Sequence, residues 1–293
     1  PLRGLRRLLN RLNMELLTWD EFDAKLLSLD SKIMHKVWFD TITNKKTADK
    51  LRKDLSKYEE TWINKNPDWF HVVWDARRSK ELIKACYPQH QQMYDEYRWE
   101  IQRCDAIRYF FLHRYGGLYT DMDYVCRKPW TSVVTEYPNK LYLVETPNKM
   151  SNVLHVSNSL MFSAGRNHTF WNRLFIEMER WKEVPVYYSR HMEVMYTTGP
   201  GILNKTFNSY KRIDRLSHYP AKFFHPYGIT PENLGKATGY YAVHLGKGSW
   251  EGKDSKLALF VYLHWRIIVF IILVMLLPWL IRWAILRVRA RDS

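Results

Sequence analysis

The chain has 293 residues, is 46% hydrophobic and 15% aromatic, and carries a formal charge of +15. That length buries one large core or two small ones, and the aromatic share suits a packed domain that faces carbohydrate or lipid. The positive balance points to anionic lipids or phosphorylated substrates. A nucleic-acid partner is not expected, because the basic residues are scattered among aromatics without zinc-finger spacing, an RNP-like signature or a long Lys/Arg block.

In chain order, the N-terminal segment 1–30 opens with PLRGLRRLLNRLN, a basic, leucine-rich stretch that reads as a solvated amphipathic helix or as a membrane-surface segment. Lys32 to Phe39 is short and apolar enough for a buried first strand, with Trp38 at its C-terminal end. Ligands collect at that end of open α/β sheets, so Trp38 there either stacks on a base or fills the core. Thr47 to Asn64 spaces Leu51, Leu55, Tyr58 and Trp62 as an amphipathic helix, and Trp69 to Trp74 follows as a second strand. Helices are expected over Ser79 to Cys86 and, broken, over Gln89 to Glu100. This alternation implies a parallel, Rossmann-like sheet with crossover helices.

The stretch Arg103 to Trp130 organises the rest. Cys104, Ile107 and Phe111 share one helical side, while Asp105, Arg108 and Leu112 form a second row. Gly116 and Gly117 stop this helix where a positive φ is wanted. Beyond them a period of two places Tyr119, Asp121 and Asp123 on one side of an extended segment. Two converging carboxylates ask for a cation, and an Asp-X-Asp suits a hard divalent ion such as Mn²⁺ or Mg²⁺ that also meets substrate phosphates.

Lys140 to Glu145 and Ser159 to Ser163 read as further strands, and Thr169 to Trp181 as a core helix. Tyr187 to Met195, with TTGPGIL, predicts another helix and a Gly-Pro turn whose backbone can approach a sugar. Asn167-His-Thr and Asn204-Lys-Thr are glycosylation sequons, meaningful on a lumenal domain. The three cysteines, Cys86, Cys104 and Cys126, show no metal-site spacing. Cys104 is expected in the core, and a pairing of the other two stays open. From Leu257 the chain becomes apolar, and Ile267 to Ile281 is free of charge. The segment 257–286 therefore predicts a transmembrane anchor, followed by a basic tail, 287–293. Arg282, Arg287, Arg289 and Arg291 would face the cytosol, which places the preceding domain in the lumen if an upstream segment targets it there; the alternative is the reversed orientation.

DAIRYFFLHRYGGLYTDMDYVCRKP resembles the sugar-binding, DxD-containing region of family 32 glycosyltransferases. The likeness is strongest to the mannosyl inositol phosphorylceramide synthase and initiation-specific α-1,6-mannosyltransferase group. The segments KIMHKVWFD, NPDWFHVVWD, NSLMFSAGRNHTFW, TTGPGIL and HLGKGSW extend it over Lys32 to Trp250. The resemblance implies a GT-A domain over 31–256 that transfers a hexose with retention. In it Asp123 holds the metal directly, Asp121 holds the metal or the ribose of the donor, Asp105 and Arg108 grip the donor sugar, and Tyr119 leans on the nucleotide. His244 is expected as third metal ligand. Lys247, Ser249 and Trp250 are expected at the diphosphate or base, reached through a glycine-rich backbone.

The expected function is that of a membrane-anchored, metal-dependent glycosyltransferase of the Golgi. It would move mannose from GDP-mannose to an inositol phosphorylceramide-type lipid, with room for a regulatory subunit. Other readings are an N-glycan mannosyltransferase, a UDP-galactose-dependent glycolipid galactosyltransferase, or a non-catalytic membrane subunit that keeps the fold.

Overall fold

The computed structural model describes residues 14–39, 45–134, 141–146, 154–211, 216–225, 231–236, 239–246 and 253–289. The opening PLRGLRRLLNRLN stretch and the predicted site residues Lys247, Ser249 and Trp250 lie outside them. The chain divides into two compact units, 1–186 with 193–247 and 187–192 with 248–293.

The first unit is built on a six-stranded sheet in the order β2-β1-β3-β6-β5-β7. Its strands are β1 (Ile33–Val37), β2 (Phe70–Trp74), β3 (Gly117–Thr120), β5 (Leu141–Glu145), β6 (Val156–Ser163) and β7 (Leu216–Tyr219). β1 runs parallel to both β2 and β3, and β5 parallel to β7, as the strand-helix alternation predicts. β6 enters the centre antiparallel to its two neighbours, β3 and β5. A two-stranded ladder stands apart, pairing β4 (Tyr124–Cys126) with β8 (Ala242–His244).

Helices cover both faces of the sheet, so alternate residues of one strand enter different cores. Ile33, Val37, Tyr119, Leu143 and Met161 join the larger cluster, while Met34, Leu118, Tyr142, Leu160 and Phe162 join the smaller one. This explains why consecutive residues of β1, β3 and β5 are buried rather than every second one. The larger cluster receives α1 (Trp19–Leu27), α3 (Ala76–Cys86), α4 (Gln91–Glu96), α5 (Glu100–Tyr115), α7 (Thr169–Arg180) and α9 (Pro200–Ser209). The smaller one receives Trp62 from α2 (Lys45–Lys65) and Val133 from α6 (Thr131–Val134).

α1 falls within the segment expected to stand outside the domain. It carries a Thr18–Glu21 capping box, buries Phe22 and Leu26, and ties Asp23 to Arg114 and Tyr115. Met14 and Leu17 before it also pack against the larger cluster, and their carbonyls accept from Arg78. Cys86, Cys104 and Cys126 are all free thiols, which closes the question of a pairing between Cys86 and Cys126. α8 (Arg190–Thr197) and α9 flank the predicted Gly-Pro turn, with Gly199 capping α9 and Pro200 in its first turn.

The second unit contains α10 (Lys253–Arg289), together with residues 187–192. Within it the backbone N–H of His191 donates to the Asp254 carboxylate at 2.7 Å. His264–Trp283 is a 20-residue stretch of mean hydropathy 2.2, none of it buried, long and apolar enough to cross a membrane.

Candidate metal and ligand site

The helix-to-strand join that aims the site is fixed by two glycines. Gly116 and Gly117 adopt φ of 67° and 92°, and a Cβ on Gly117 would lie 2.4 Å from the Ile33 carbonyl. Only glycine allows β3 to start this close to β1. Their register is held by His35, whose Nε2–H donates to the Gly116 carbonyl at 2.9 Å while its Nδ1 accepts from the Trp74 indole at 3.0 Å. Burial pushes the His35 imidazole down to about 3, against the pull of that carbonyl.

β3 ends at Thr120, earlier than the period of two suggests, and the Asp-X-Asp occupies a turn between β3 and β4. The Asp121 N–H donates to the Ser159 carbonyl at 2.8 Å, and the Tyr124 N–H turns back to the Asp121 carbonyl at 3.3 Å. The two carboxylates therefore converge through a turn instead of lining one strand face. β8 brings His244 opposite Tyr124, its ring stacked on the phenol at 4.4 Å. Its Nε2 lies 3.3 Å from Asp123 Oδ1 and 4.0 Å from Asp121 Oδ2. Asp121, Asp123 and His244 each offer a ligand atom, all within 4.8 Å of one another.

This donor set fits a divalent cation. Two carboxylate oxygens suit Mg²⁺ or Mn²⁺, and the imidazole nitrogen adds a ligand more congenial to the softer of the two. The local field agrees. Burial disfavours a charged imidazole at His244, yet Asp123 and Asp121 outweigh it and raise its affinity for a proton. Carboxylates that hold a proton on a neighbouring ring also attract a cation between them.

Behind the turn lies a second layer of charge. Asp105 and Arg108, both buried, pair at 2.9 Å on α5. Arg108 also reaches Asp121 Oδ1 at 3.4 Å, donates to the Asn158 carbonyl at 3.2 Å and lies over the Tyr119 ring at 4.8 Å. Burial pushes the Asp105 carboxyl up to about 7, against the pull of Arg108. Gly199 approaches from α9, where an added Cβ would stand 3.4 Å from Asp105 Oδ2.

Tyr119, expected to lean on a nucleotide, is instead buried at 1% exposure, and its hydroxyl donates to Asp121 Oδ1 at 2.5 Å. In this structure its place is behind Asp121, which it orients. Trp38 is half-buried at the C-terminal end of β1, the sheet edge that also carries the turn. Arg52 covers its ring at 5.7 Å and touches the Met122 sulfur at 3.9 Å. Two residues of the site were missed in the sequence. Lys36 is buried beneath the turn, donating to Thr120 Oγ1 at 2.7 Å and the Asp121 carbonyl at 3.3 Å. A lysine in the middle of an apolar strand was the available signal. His225, 5.3 Å from the His244 ring, had none beyond its residue type.

Residues 52–140 match the family model described as "Glycosyltransferase sugar-binding region containing DXD motif". The chain is 27% identical over 241 residues to inositol phosphoceramide mannosyltransferase 3 of Schizosaccharomyces pombe, covering 82% of this chain and 61% of that protein. It is 27% identical over 233 residues to mannosyl phosphorylinositol ceramide synthase SUR1 of Saccharomyces cerevisiae, covering 77% and 53%. It thus spans little more than half the length of these two relatives. Among solved structures, the ligand-free glycosyltransferase domain of the YGT toxin is similar at a TM-score of 0.46 and 10% identity, covering 72% of this chain and 83% of that one.

Proposed function

We propose that this chain, which carries across residues 52–140 the sugar-binding region of DXD glycosyltransferases, is a GT-A mannosyltransferase. It takes mannose from GDP-mannose and transfers it to an inositol phosphoceramide-type lipid. The observation that carries the reading is the meeting of Asp121, Asp123 and His244 directly in front of the buried Asp105–Arg108 pair. A cation site adjoining a buried carboxylate and guanidinium suits a sugar diphosphate, with the hydroxyls on one side and the phosphates on the other.

In this reading Asp105 accepts from donor sugar hydroxyls and Arg108 donates to them. Tyr119 and Lys36 hold Asp121 in place from its buried side, so the turn need not reorganise when the donor binds. A divalent cation held by Asp121, Asp123 and His244 would supply Lewis acidity toward the diphosphate. In the transfer, the bond from the anomeric carbon to the diphosphate oxygen breaks and one to the acceptor oxygen forms. The acceptor hydroxyl proton passes to the departing diphosphate, giving a front-face route to retention. Trp38 stands where a base could stack, and Lys247, Ser249 and Trp250 are assigned to the diphosphate or base by resemblance.

The identity of the lipid acceptor is supported by the named activities of the relatives and by the +15 charge. α10 is the proposed anchor in a Golgi membrane, with the transferase unit on the lumenal side. The test is transfer from a panel of nucleotide sugars, with Mn²⁺, to an anionic inositol phospholipid and to a neutral glycolipid in matched neutral micelles. GDP-mannose should be used, and rising salt should raise the apparent KM for the anionic lipid selectively, since such attraction is screened over about 8 Å at physiological ionic strength. Equal, salt-independent use of both lipids would sink the acceptor assignment. Binding of donor without turnover under any metal would sink the enzyme.

A further inference from the structure

Two sequons of the chain, Asn167-His-Thr and Asn204-Lys-Thr, are indistinguishable as motifs. The structure separates them. We propose that Asn167 is an N-glycan acceptor and that Asn204 is not, an inference that rests on the lumenal placement proposed above.

Asn167 is exposed in the bend between β6 and α7, with neighbours Gly165 and Arg166 exposed as well. It adopts φ of 55°, a left-handed conformation that asparagine tolerates better than most residues. Its backbone N–H is satisfied by the His113 carbonyl at 2.7 Å, which fixes the loop without using the carboxamide. The sequon's Thr169 is exposed and its hydroxyl meets the Tyr210 hydroxyl at 2.6 Å. β6 runs antiparallel to β3, pairing Ser163 with Gly117 and Leu160 with Thr120. Asn167 therefore lies past the end of the sheet opposite to the Asp121–Asp123 turn, where a glycan leaves the ligand site open.

Asn204 is occupied. Its Nδ2 donates to the Val156 carbonyl at 2.6 Å and to the Pro200 carbonyl at 2.7 Å, while its Oδ1 accepts from the Val156 N–H at 2.6 Å. This carboxamide clasps the start of β6 to the first turn of α9. A glycosylated carboxamide keeps one N–H and gains a bulky substituent, so it cannot make both donations and would leave a partly buried carbonyl unpaired.

The modification forms a bond between Asn167 Nδ2 and the anomeric carbon of a lipid-linked oligosaccharide. The bond from that carbon to the lipid diphosphate breaks, the amide gives up one proton, and the diphosphate leaves with the electron pair. To test this, the full chain is expressed in a eukaryotic cell and its mobility compared before and after an endoglycosidase that cuts asparagine-linked chains. One step of mobility shift is expected. Asn167→Gln and Thr169→Ala should each abolish it, and Asn204→Gln, read on whatever protein accumulates, should not. Mass spectrometry of the wild-type protein, reading Asn-to-Asp conversion after enzymatic release, should mark 167 alone, and Asn167→Gln should keep wild-type transferase activity. Protease protection in sealed microsomes is read in parallel. A protected transferase unit without a glycan on Asn167, or with one on Asn204, overturns the proposal. An unprotected unit overturns it along with the lumenal placement, while the transferase assay judges the function separately.

Discussion

Acid should loosen this fold through a residue that never meets solvent. His35 is fully buried, its Nε2–H given to Gly116 and its Nδ1 accepting from Trp74, with the Phe111 ring stacked on it at 4.4 Å. A second ring proton would have to sit on Nδ1, facing the Trp74 N–H, so the protonated form has neither water nor an acceptor. That is why the imidazole is pushed down to about 3. An unfolded histidine titrates near 6.5. Between those values the unfolded chain binds the proton and the folded one does not, so stability is complete above pH 6.5 and is lost as pH falls. At 1.36 kcal/mol per pH unit, moving to pH 5 removes about 2 kcal/mol through this group, roughly thirtyfold in the folding equilibrium. His113 and His225 are also pushed down by burial, to about 4 and about 3, and titrate with the same sign. The His35→Gln variant, which can still donate to Gly116 and accept from Trp74, isolates the His35 share. Urea unfolding of the detergent-purified protein at pH 7 and pH 5, read by tryptophan fluorescence, should show wild type losing about 2 kcal/mol more than the variant. Equal losses would refute the account of His35 as a buried neutral base.

Asp123→Asn should lower transfer on the order of a hundredfold or more with an unchanged thermal melt, because one charged ligand goes while the backbone contact to Leu245 stays. Chelation should likewise abolish activity, and Mn²⁺ should restore it. Gly117→Ala meets both a φ of 92° and the Ile33 carbonyl at 2.4 Å, so it should cost on the order of 3 kcal/mol in urea unfolding. Ending the chain after Lys256 should leave a transferase unit that stays in the supernatant of a high-speed spin without detergent and still hydrolyses donor.

The central helix, its double-glycine stop and the strand after it were legible in the sequence because each depends on neighbours a few residues away. Cys104, Ile107 and Phe111 do share a side, and Gly116 and Gly117 do take positive φ. The period of two failed at Asp121, where the carbonyl of Ser159 takes the backbone N–H and turns the chain. That partner sits on another strand and leaves no mark in local spacing. The antiparallel entry of β6 was invisible for the same reason, since strand-helix alternation speaks of crossovers and not of where the next strand inserts. Tyr119 lies buried behind Asp121, a depth that periodicity does not give because it sets direction and not burial. α1 was hidden by the basic stretch before it, although Thr18 and Glu21 form a capping box that the sequence shows plainly.

The pairing of β4 with β8 has a consequence for the timing of assembly. Tyr124 and His244 face each other across 120 positions of chain, so the cation site cannot close until β8 has been made, after every strand of the six-stranded sheet. An intermediate that has formed β1, β2, β3, β5 and β6 already has five of the six strands of the sheet and the Asp105–Arg108 pair but lacks its third ligand. The ligand arrives with the strand that directly precedes the glycine-rich segment leading to α10. Cation affinity would then report that β8 has docked, and a chain caught earlier would have most of the sheet without this charge balance.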